Sequence, residues 1–517
     1  MRVSILLSFI LAPALFAAQD CAALARRAFP DTTITLAQAV SSGGFIAPGG
    51  RPMPFLPAFC RVTATIKPSP DSNIVLEVWL PSTDWNNNFY GVGNGGFAGS
   101  INYEQMAAVL RRGYATASTD TGHQGAMVDA AWALHHPGKV IDFGYRAVHA
   151  MTTDARTMIA AYYGRAPRHA YFSSCSNGGR QALMEAQRYP EDYDGIIAGA
   201  PANYWTHLLA NAIGNLQALS GDAYIPSRKL PAIESAALAA CDSLDGAKDG
   251  IIADPLHCHF DPAVLQCRGA ESDSCLSASQ AEALRKLYAG ARFPDGHTLF
   301  PGYTPGGEAE PGGWAVWITG PAPERSLMYS FGAQFFRSMV FNEPAWDYRT
   351  FSPSRDTNIA DEKLAGVLNA TDPDLSRFRA RGGKLILYHG WSDAAISPNN
   401  SIDYYESIRS RMGARKVDGF VRLYMVPGML HCAGGPGPGS FGQFGAGDGD
   451  AGHDIQAALE RWVEKDIAPG TIIGAKRKSD LDPSSAVLRT MPICVYPGVP
   501  RYLGKGSTGE ASSFRCE

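Results

Sequence analysis

With 517 residues, the chain is too long for one small hydrophobic core, so two or three domains, or one large domain with an insertion, are expected. Its 45% hydrophobic and 18% charged residues are ordinary for a globular protein. A net charge of −4 without any basic cluster excludes a nucleic-acid partner held by charge.

The chain opens like a secretory signal. Arg2 supplies a positive start, Ile5 to Phe16 an apolar run, and Ala17-Ala18 a small-residue cleavage zone, so residues 1–18 are expected to be removed. No later run is apolar enough to span a bilayer, and polar Gln19-Asp20 precedes Cys21 where a lipid-attachment motif would be small and apolar. A secreted or periplasmic protein with no membrane partner is expected.

Residues 61–80 alternate, with Val62, Ala64 and Ile66 and then Ile74, Leu76, Val78 and Leu80 pointing one way, which predicts an antiparallel pair at a sheet edge. Residues 89–99 predict a strand entering a glycine-rich loop. A helix over 106–112, a strand over 114–118 and a helix over 148–163 follow. Residues 171–201 read as strand, sharp turn, helix, strand: Gly178-Gly179 marks the turn, and Tyr189-Pro190 stops the helix. This alternation predicts a parallel sheet with helices on both faces. It lapses from about 203 to 372, the pattern of an inserted lid. It resumes with strands over 383–390 and 421–426 and a helix over 454–465.

Ten cysteines in an exported chain read as disulfides. Four local groups suggest themselves: Cys21 with Cys60, Cys241 with Cys258, Cys267 with Cys275, and Cys494 with Cys516. Cys175 and Cys432 remain, each beside a candidate reactive residue. Sequence alone leaves the connectivity open.

Ser176 lies on the strand-to-helix turn, the position of a nucleophile elbow, where a strained turn lifts the hydroxyl above the sheet. The turn departs from the usual G-x-S-x-G in having Ser174 at the first glycine. A serine nucleophile needs a base, and the base a carboxylate. Asp393 and His431 follow the two late strands, giving the order Ser176, Asp393, His431 found in α/β-hydrolases. The backbone N–H groups of Asn177 and of Gly96, in the glycine-rich loop, are the candidate oxyanion donors. Cys175 is the weaker nucleophile candidate, since an oxidising compartment would pair it. The predicted division is a first hydrolase part at 19–202, a lid at 203–372 and a second hydrolase part at 373–517. A serine peptidase or general esterase on the same scaffold, or a non-catalytic calcium-stabilised binding protein, are the alternatives.

Residues 241–251 crowd acidic side chains among glycines. Asp242, Asp245 and Asp249, with the carbonyls of Ala247 and Ile251, could wrap a hard cation; Ca²⁺ in a structural role is expected.

Together, Cys175-Ser176-x-Gly178-Gly179, Gly199-Ala200-Pro201, the aspartate loop, Tyr388-His389-Gly390-x-Ser392-Asp393 and Pro427-Gly428-Met429-x-His431-Cys432 resemble the tannase and feruloyl esterase family. The resemblance implies an α/β-hydrolase fold with a large lid, a Ser-Asp-His triad beside a Cys175–Cys432 bridge, and calcium in the lid. It implies a small-molecule aromatic ester as substrate: galloyl, feruloyl or, in one branch, a terephthalate half-ester. It also places His389 near the substrate and offers Arg325 as a partner for a substrate carboxylate.

Overall fold

The computed structural model describes residues 20–447 and 449–517, so the expected signal lies outside the described residues. Nine strands form one mixed sheet: β1 (Thr32–Val40), β2 (Phe59–Ile66), β3 (Ile74–Pro81), β4 (Asn88–Val92), β5 (Ala115–Thr119), β6 (His169–Cys175), β7 (Gly195–Gly199), β8 (Lys384–Gly390) and β9 (Val421–Val426). Their spatial order is β1-β2-β3-β5-β4-β6-β7-β8-β9. The β1–β2, β2–β3 and β3–β5 pairs are antiparallel. From β5 through β9 every pair is parallel. The crossing of β4 and β5 and the run of parallel strands beyond them make an α/β-hydrolase sheet, whose ligand site lies at the carboxyl ends of the strands.

Strands buried on both faces read as unbroken apolar runs, and successive residues feed opposite layers. Phe172, Ile196 and Leu385 pack with Met158, Leu183 and Ile408 of the helices Ala147–Tyr163, Asn177–Arg188 and Pro398–Met412. Their neighbours Tyr171, Ile197 and Ile386 turn to the other face, against Val109 and Leu110 of Tyr103–Arg111 and Leu459 and Trp462 of Ile455–Lys465.

The alternating pair predicted at the sheet edge is interior: β1 lies outside it. β1 contains the strand formers Thr, Ile and Val, but it has no buried residue and its register shifts between Ile34 and Leu36, so its apolar residues do not keep to one face. Between β7 and β8 no strand joins the large sheet. That stretch forms helices, including Trp205–Ala218 and Leu327–Gln334, and a two-stranded ribbon. Its aromatic core, with Trp205, Phe331 and Phe335, also takes in Phe97, Phe143 and Ile396 from the loops of the sheet.

All ten cysteines are paired, in the five combinations Cys21–Cys60, Cys175–Cys432, Cys241–Cys258, Cys267–Cys275 and Cys494–Cys516. Among the described residues no helix is long and apolar enough to cross a membrane.

Candidate active site

β6 ends at Cys175 and the next helix begins at Asn177, so Ser176 is the entire turn. It takes φ 67° and ψ −126°, a conformation costly for any residue with a side chain. Three backbone hydrogen bonds hold it there. The Ser176 N–H donates to the Gly199 carbonyl at 2.9 Å, and its own carbonyl accepts from Arg180 and Ala202, both at 3.1 Å. The two glycines after it are needed for close approach rather than for their dihedrals. A Cβ on Gly179 would stand 2.3 Å from the Gly199 carbonyl oxygen, and one on Gly178 would stand 1.9 Å from Ser174 Oγ. Ser174 thus fills space that the usual first glycine of the elbow would leave open, and Gly178 gives way to it.

The three residues expected to act together meet. His431 Nδ1 donates to Asp393 Oδ2 at 2.7 Å, which leaves Nε2 to accept from the Ser176 hydroxyl at 2.9 Å. Asp393 is fully satisfied: Oδ1 accepts from the Ala395 and Ile396 N–H groups at 2.8 and 3.0 Å, and Oδ2 also accepts from His389 Nε2 at 3.1 Å. Burial disfavours its charge, but the attraction of His431 and the hydrogen bonds from His389 and His431 outweigh it and hold the carboxyl well below the usual range. Cys175 and Cys432, the immediate neighbours of Ser176 and His431, form a bridge with Cα atoms 6.0 Å apart across 257 residues of chain.

Ser176 and His431 open into a cavity of about 280 Å³. Gly95, Gly96 and Asn177 line it on the hydroxyl side. Gly96 has φ 58°, and a Cβ there would come 2.5 Å from the Met127 carbonyl oxygen, so only glycine fits. Asn177 is the first residue of its helix, where an N–H has no acceptor within the helix. The opposite wall comes from the insertion: Trp205, Leu208, Leu209, Trp317, Met328 and Phe331. Trp317 meets the His431 ring edge-to-face at 5.1 Å. Among the described residues, none that line the cavity is Asp, Glu, Lys or Arg.

A family model for tannase and feruloyl esterase matches residues 60–517. The chain belongs to the tannase and feruloyl esterase family. An uncharacterized esterase of Xanthomonas campestris pv. campestris is 43% identical over 527 residues, covering 97% of this chain and 91% of that protein. A probable feruloyl esterase B-2 of Aspergillus terreus is 32% identical over 471 residues, covering 88% of this chain and 86% of its own. The crystal structure of feruloyl esterase B from Aspergillus oryzae superposes with a TM-score of 0.89 at 30% identity, covering 96% of this chain and 99% of that one. As a member of this family the chain is a carboxylic ester hydrolase on an α/β-hydrolase fold.

The two residues of this chain expected to contact substrate, His389 and Arg325, lie outside the cavity lining. His389 is buried and does not line the cavity; its Nε2 faces Asp393 and the Ile396 carbonyl, both at 3.1 Å, and Nδ1 accepts from Ser401 Oγ at 2.7 Å. It is a support for the carboxylate. Arg325 is exposed and outside the cavity lining, because it precedes the Ser326 cap of the helix whose Met328 and Phe331 point inward. Nothing in the sequence marks Arg180, since an arginine in a helix ordinarily faces water. Here it is wholly buried, donates to the Phe143, Gly144 and Leu368 carbonyls, and lies under Phe143 and Trp205 at 4.7 and 5.1 Å. It ties the elbow helix to the wall of the cavity.

In the aspartate loop, Asp242 turns inward to accept the Asp249, Gly250 and Ile251 N–H groups at 3.2–3.3 Å. Asp245 Oδ2 and both Asp249 oxygens are buried without a donor, and Arg489 Nη1 stands 3.2 Å from Asp249 Oδ2. Burial, reinforced by Asp249 and Asp242, pushes the Asp245 carboxyl up to about 6. Such a donor set fits a hard cation, which would relieve both the repulsion and the missing donors.

Proposed function

We propose that this chain is a secreted serine esterase that cleaves esters of neutral aromatic acids, of feruloyl or galloyl type, through an acyl-enzyme. The observation that carries the reading is the unbroken hydrogen-bonded line from the Ser176 hydroxyl through His431 to Asp393, opening into an apolar cavity. Ser176 Oγ attacks the ester carbonyl while His431 Nε2 takes its proton, and Asp393 stabilises the imidazolium. The N–H groups of Asn177 and Gly96 receive the charge that develops on the carbonyl oxygen. His431 returns the proton to the departing alcohol, and water then repeats the sequence on the acyl-enzyme.

Aromatic and aliphatic walls suit the ring of the acid, and the absence of a lining Lys or Arg among the described residues disfavours a terephthalate half-ester, whose free carboxylate would be desolvated without a counter-charge. Calcium belongs to the proposal as a structural ion: Asp242, Asp245 and Asp249 with the Ala247 and Ile251 carbonyls would hold it and neutralise the loop. Five disulfides suit an oxidising compartment, in keeping with the signal read at residues 1–18.

The test is a rate panel of methyl ferulate, methyl gallate, a terephthalate half-ester and a peptide amide, run on the parent and on Ser176→Ala. The expected result is preference for the two neutral esters, with loss of at least ~10⁴-fold in kcat/KM on substitution and an unchanged Tm. Near-parental rates in Ser176→Ala would sink the nucleophile assignment. Fastest turnover of the half-ester would sink the neutral-acid assignment, and of the amide the esterase one.

A further inference from the structure

Away from the cavity, three ionisable side chains from three elements converge on the outer side of the helix that carries the elbow. His149 comes from the first turn of Ala147–Tyr163, Glu185 from the last turns of Asn177–Arg188, and Asp192 from the loop that follows. One ligand atom of each lies within 4.8 Å of the others; among the described residues this is the one group of three or more His, Cys, Asp or Glu residues so gathered. Counting 1.5 Å per residue along the helix, the cluster is roughly 13 Å from Ser176.

Glu185 is the informative member. It is 1% exposed, and neither of its carboxylate oxygens has a hydrogen-bond partner. Asp192, also buried, stands beside it. Two carboxylates in a dry pocket need a positive charge between them, either a proton or a cation. The third member is an imidazole, brought to the same point from another helix: His149 Nδ1 is 2.6 Å from Asp192 Oδ2. Its ring is fixed by Tyr189, stacked at 3.8 Å and nearly parallel, while its outer edge is half-exposed and leaves a way in. Asp192 is itself anchored through its backbone, its N–H donating to the Tyr189 carbonyl and its carbonyl accepting from Arg156, both at 2.9 Å.

We propose that His149, Glu185 and Asp192 form a second metal site, separate from the aspartate loop, that takes a divalent transition-metal ion of the Zn²⁺ or Co²⁺ class. One imidazole nitrogen with two carboxylates is a nitrogen–oxygen donor set of borderline hardness, matched to these ions rather than to Ca²⁺, which prefers oxygen alone. Loading displaces the proton held by Glu185 to solvent and moves the His149 ring hydrogen from Nδ1 to Nε2, so that three protein atoms and water complete the coordination. The ion would staple the helix Ala147–Tyr163 to the elbow helix and the loop behind it. Its role is structural.

The experiment uses the untagged full chain, stripped with EDTA and returned to Ca²⁺ so that the aspartate loop stays loaded. Co²⁺ binding is followed by equilibrium dialysis and by visible absorption, and Tm is measured with and without Zn²⁺. The parent is expected to hold about one Co²⁺ per chain and to gain in Tm with Zn²⁺. Glu185→Gln and His149→Ala should each weaken Co²⁺ binding at least tenfold and lose the Tm gain, while hydrolysing methyl ferulate at the parental rate. Should Glu185→Gln not fold, the half-exposed His149→Ala decides alone. The site is overturned if the parent retains no cobalt above the dialysis buffer, which would assign a shared proton to the pair, or if both variants bind as the parent does.

Discussion

A carboxylate that must stay charged inside a dry wall needs donors on both oxygens, and Asp393 has four of them. His389 is the donor that a reading of the strand could not assign. Residues 388–390 were legible as the end of a buried strand, yet the face taken by each side chain depends on register, and β8 pairs Tyr388 with Gly199 and His389 with Met425. Because His389 supports Asp393 without touching the cavity, His389→Phe should lower kcat and leave KM unchanged. Losing one hydrogen bond to a charged group, about 1.5–3 kcal/mol, corresponds to ~10–100-fold. Steady-state kinetics on methyl ferulate checks this; a rise in KM with kcat intact would place His389 against substrate instead.

At the scale of elements, the elbow is a close crossing of a helix over two strands, and Gly179 is its narrowest point. A methyl group there meets the Gly199 carbonyl oxygen, backbone that cannot step aside, whereas at Gly178 it meets chiefly the Ser174 side chain. Gly179→Ala should therefore destabilise by about 1–3 kcal/mol, read as a lower Tm or denaturation midpoint. A fall in activity is expected with it, since the same carbonyl accepts the Ser176 N–H. An unaltered Tm would mean that the crossing has slack. The sheet and this turn were legible because parallel strands are apolar runs punctuated by glycine, and the order of Ser176, Asp393 and His431 followed from which strands they terminate. β1 was not legible, its side chains being partly exposed and its alternation broken by the register shift after Ile34, and neither was the wall of the cavity. Helices such as Trp205–Ala218 are placed by packing between distant aromatics, with Arg180 beneath Trp205, and no local periodicity encodes that.

Across the whole molecule, buried carboxylates lacking a cationic partner set the response to pH. Burial pushes Glu308 up to about 7, although it accepts from Tyr288 Oη and the Gly306 N–H, and Asp120 likewise reaches about 7. A carboxyl raised on folding favours the folded state while protonated, and that stability is lost as pH rises through the folded value. Asp393 works the other way: depressed on folding, its contribution is present above the ordinary carboxyl range and lost only in acid. Stability should thus decline from about pH 4, the ordinary carboxyl range, to about pH 7, the folded value of Glu308 and Asp120, and level off above it. Glu308→Gln keeps an acceptor for Tyr288 and cannot ionise, so its Tm advantage over the parent should be small at about pH 4, grow toward about pH 7 and level off above it. A difference independent of pH would show that Glu308 does not titrate in this range. The carboxyl-terminal tail joins the scaffold in the same region of the fold as the acidic loop: Arg489 donates to the Asp249 carbonyl at 3.0 Å and Arg501 to Asp254 Oδ2 at 2.8 Å.

The bridge between Cys175 and Cys432 lines the cavity proposed to receive the ester. A small thiol can reach its sulfurs through the same mouth as the substrate, so occupancy by a non-hydrolysable ester analogue should shield the bond from dithiothreitol. Opening it removes a constraint on a 257-residue loop, worth about 5 kcal/mol in the chain-entropy account, and frees the His431 loop to drift from Ser176. Turnover should then vanish while the far-ultraviolet circular dichroism of the helices persists, with thiol titration reporting protection by the analogue. An enzyme that stays fully active once this bond is shown to be reduced would mean that the imidazole is held by its surroundings alone.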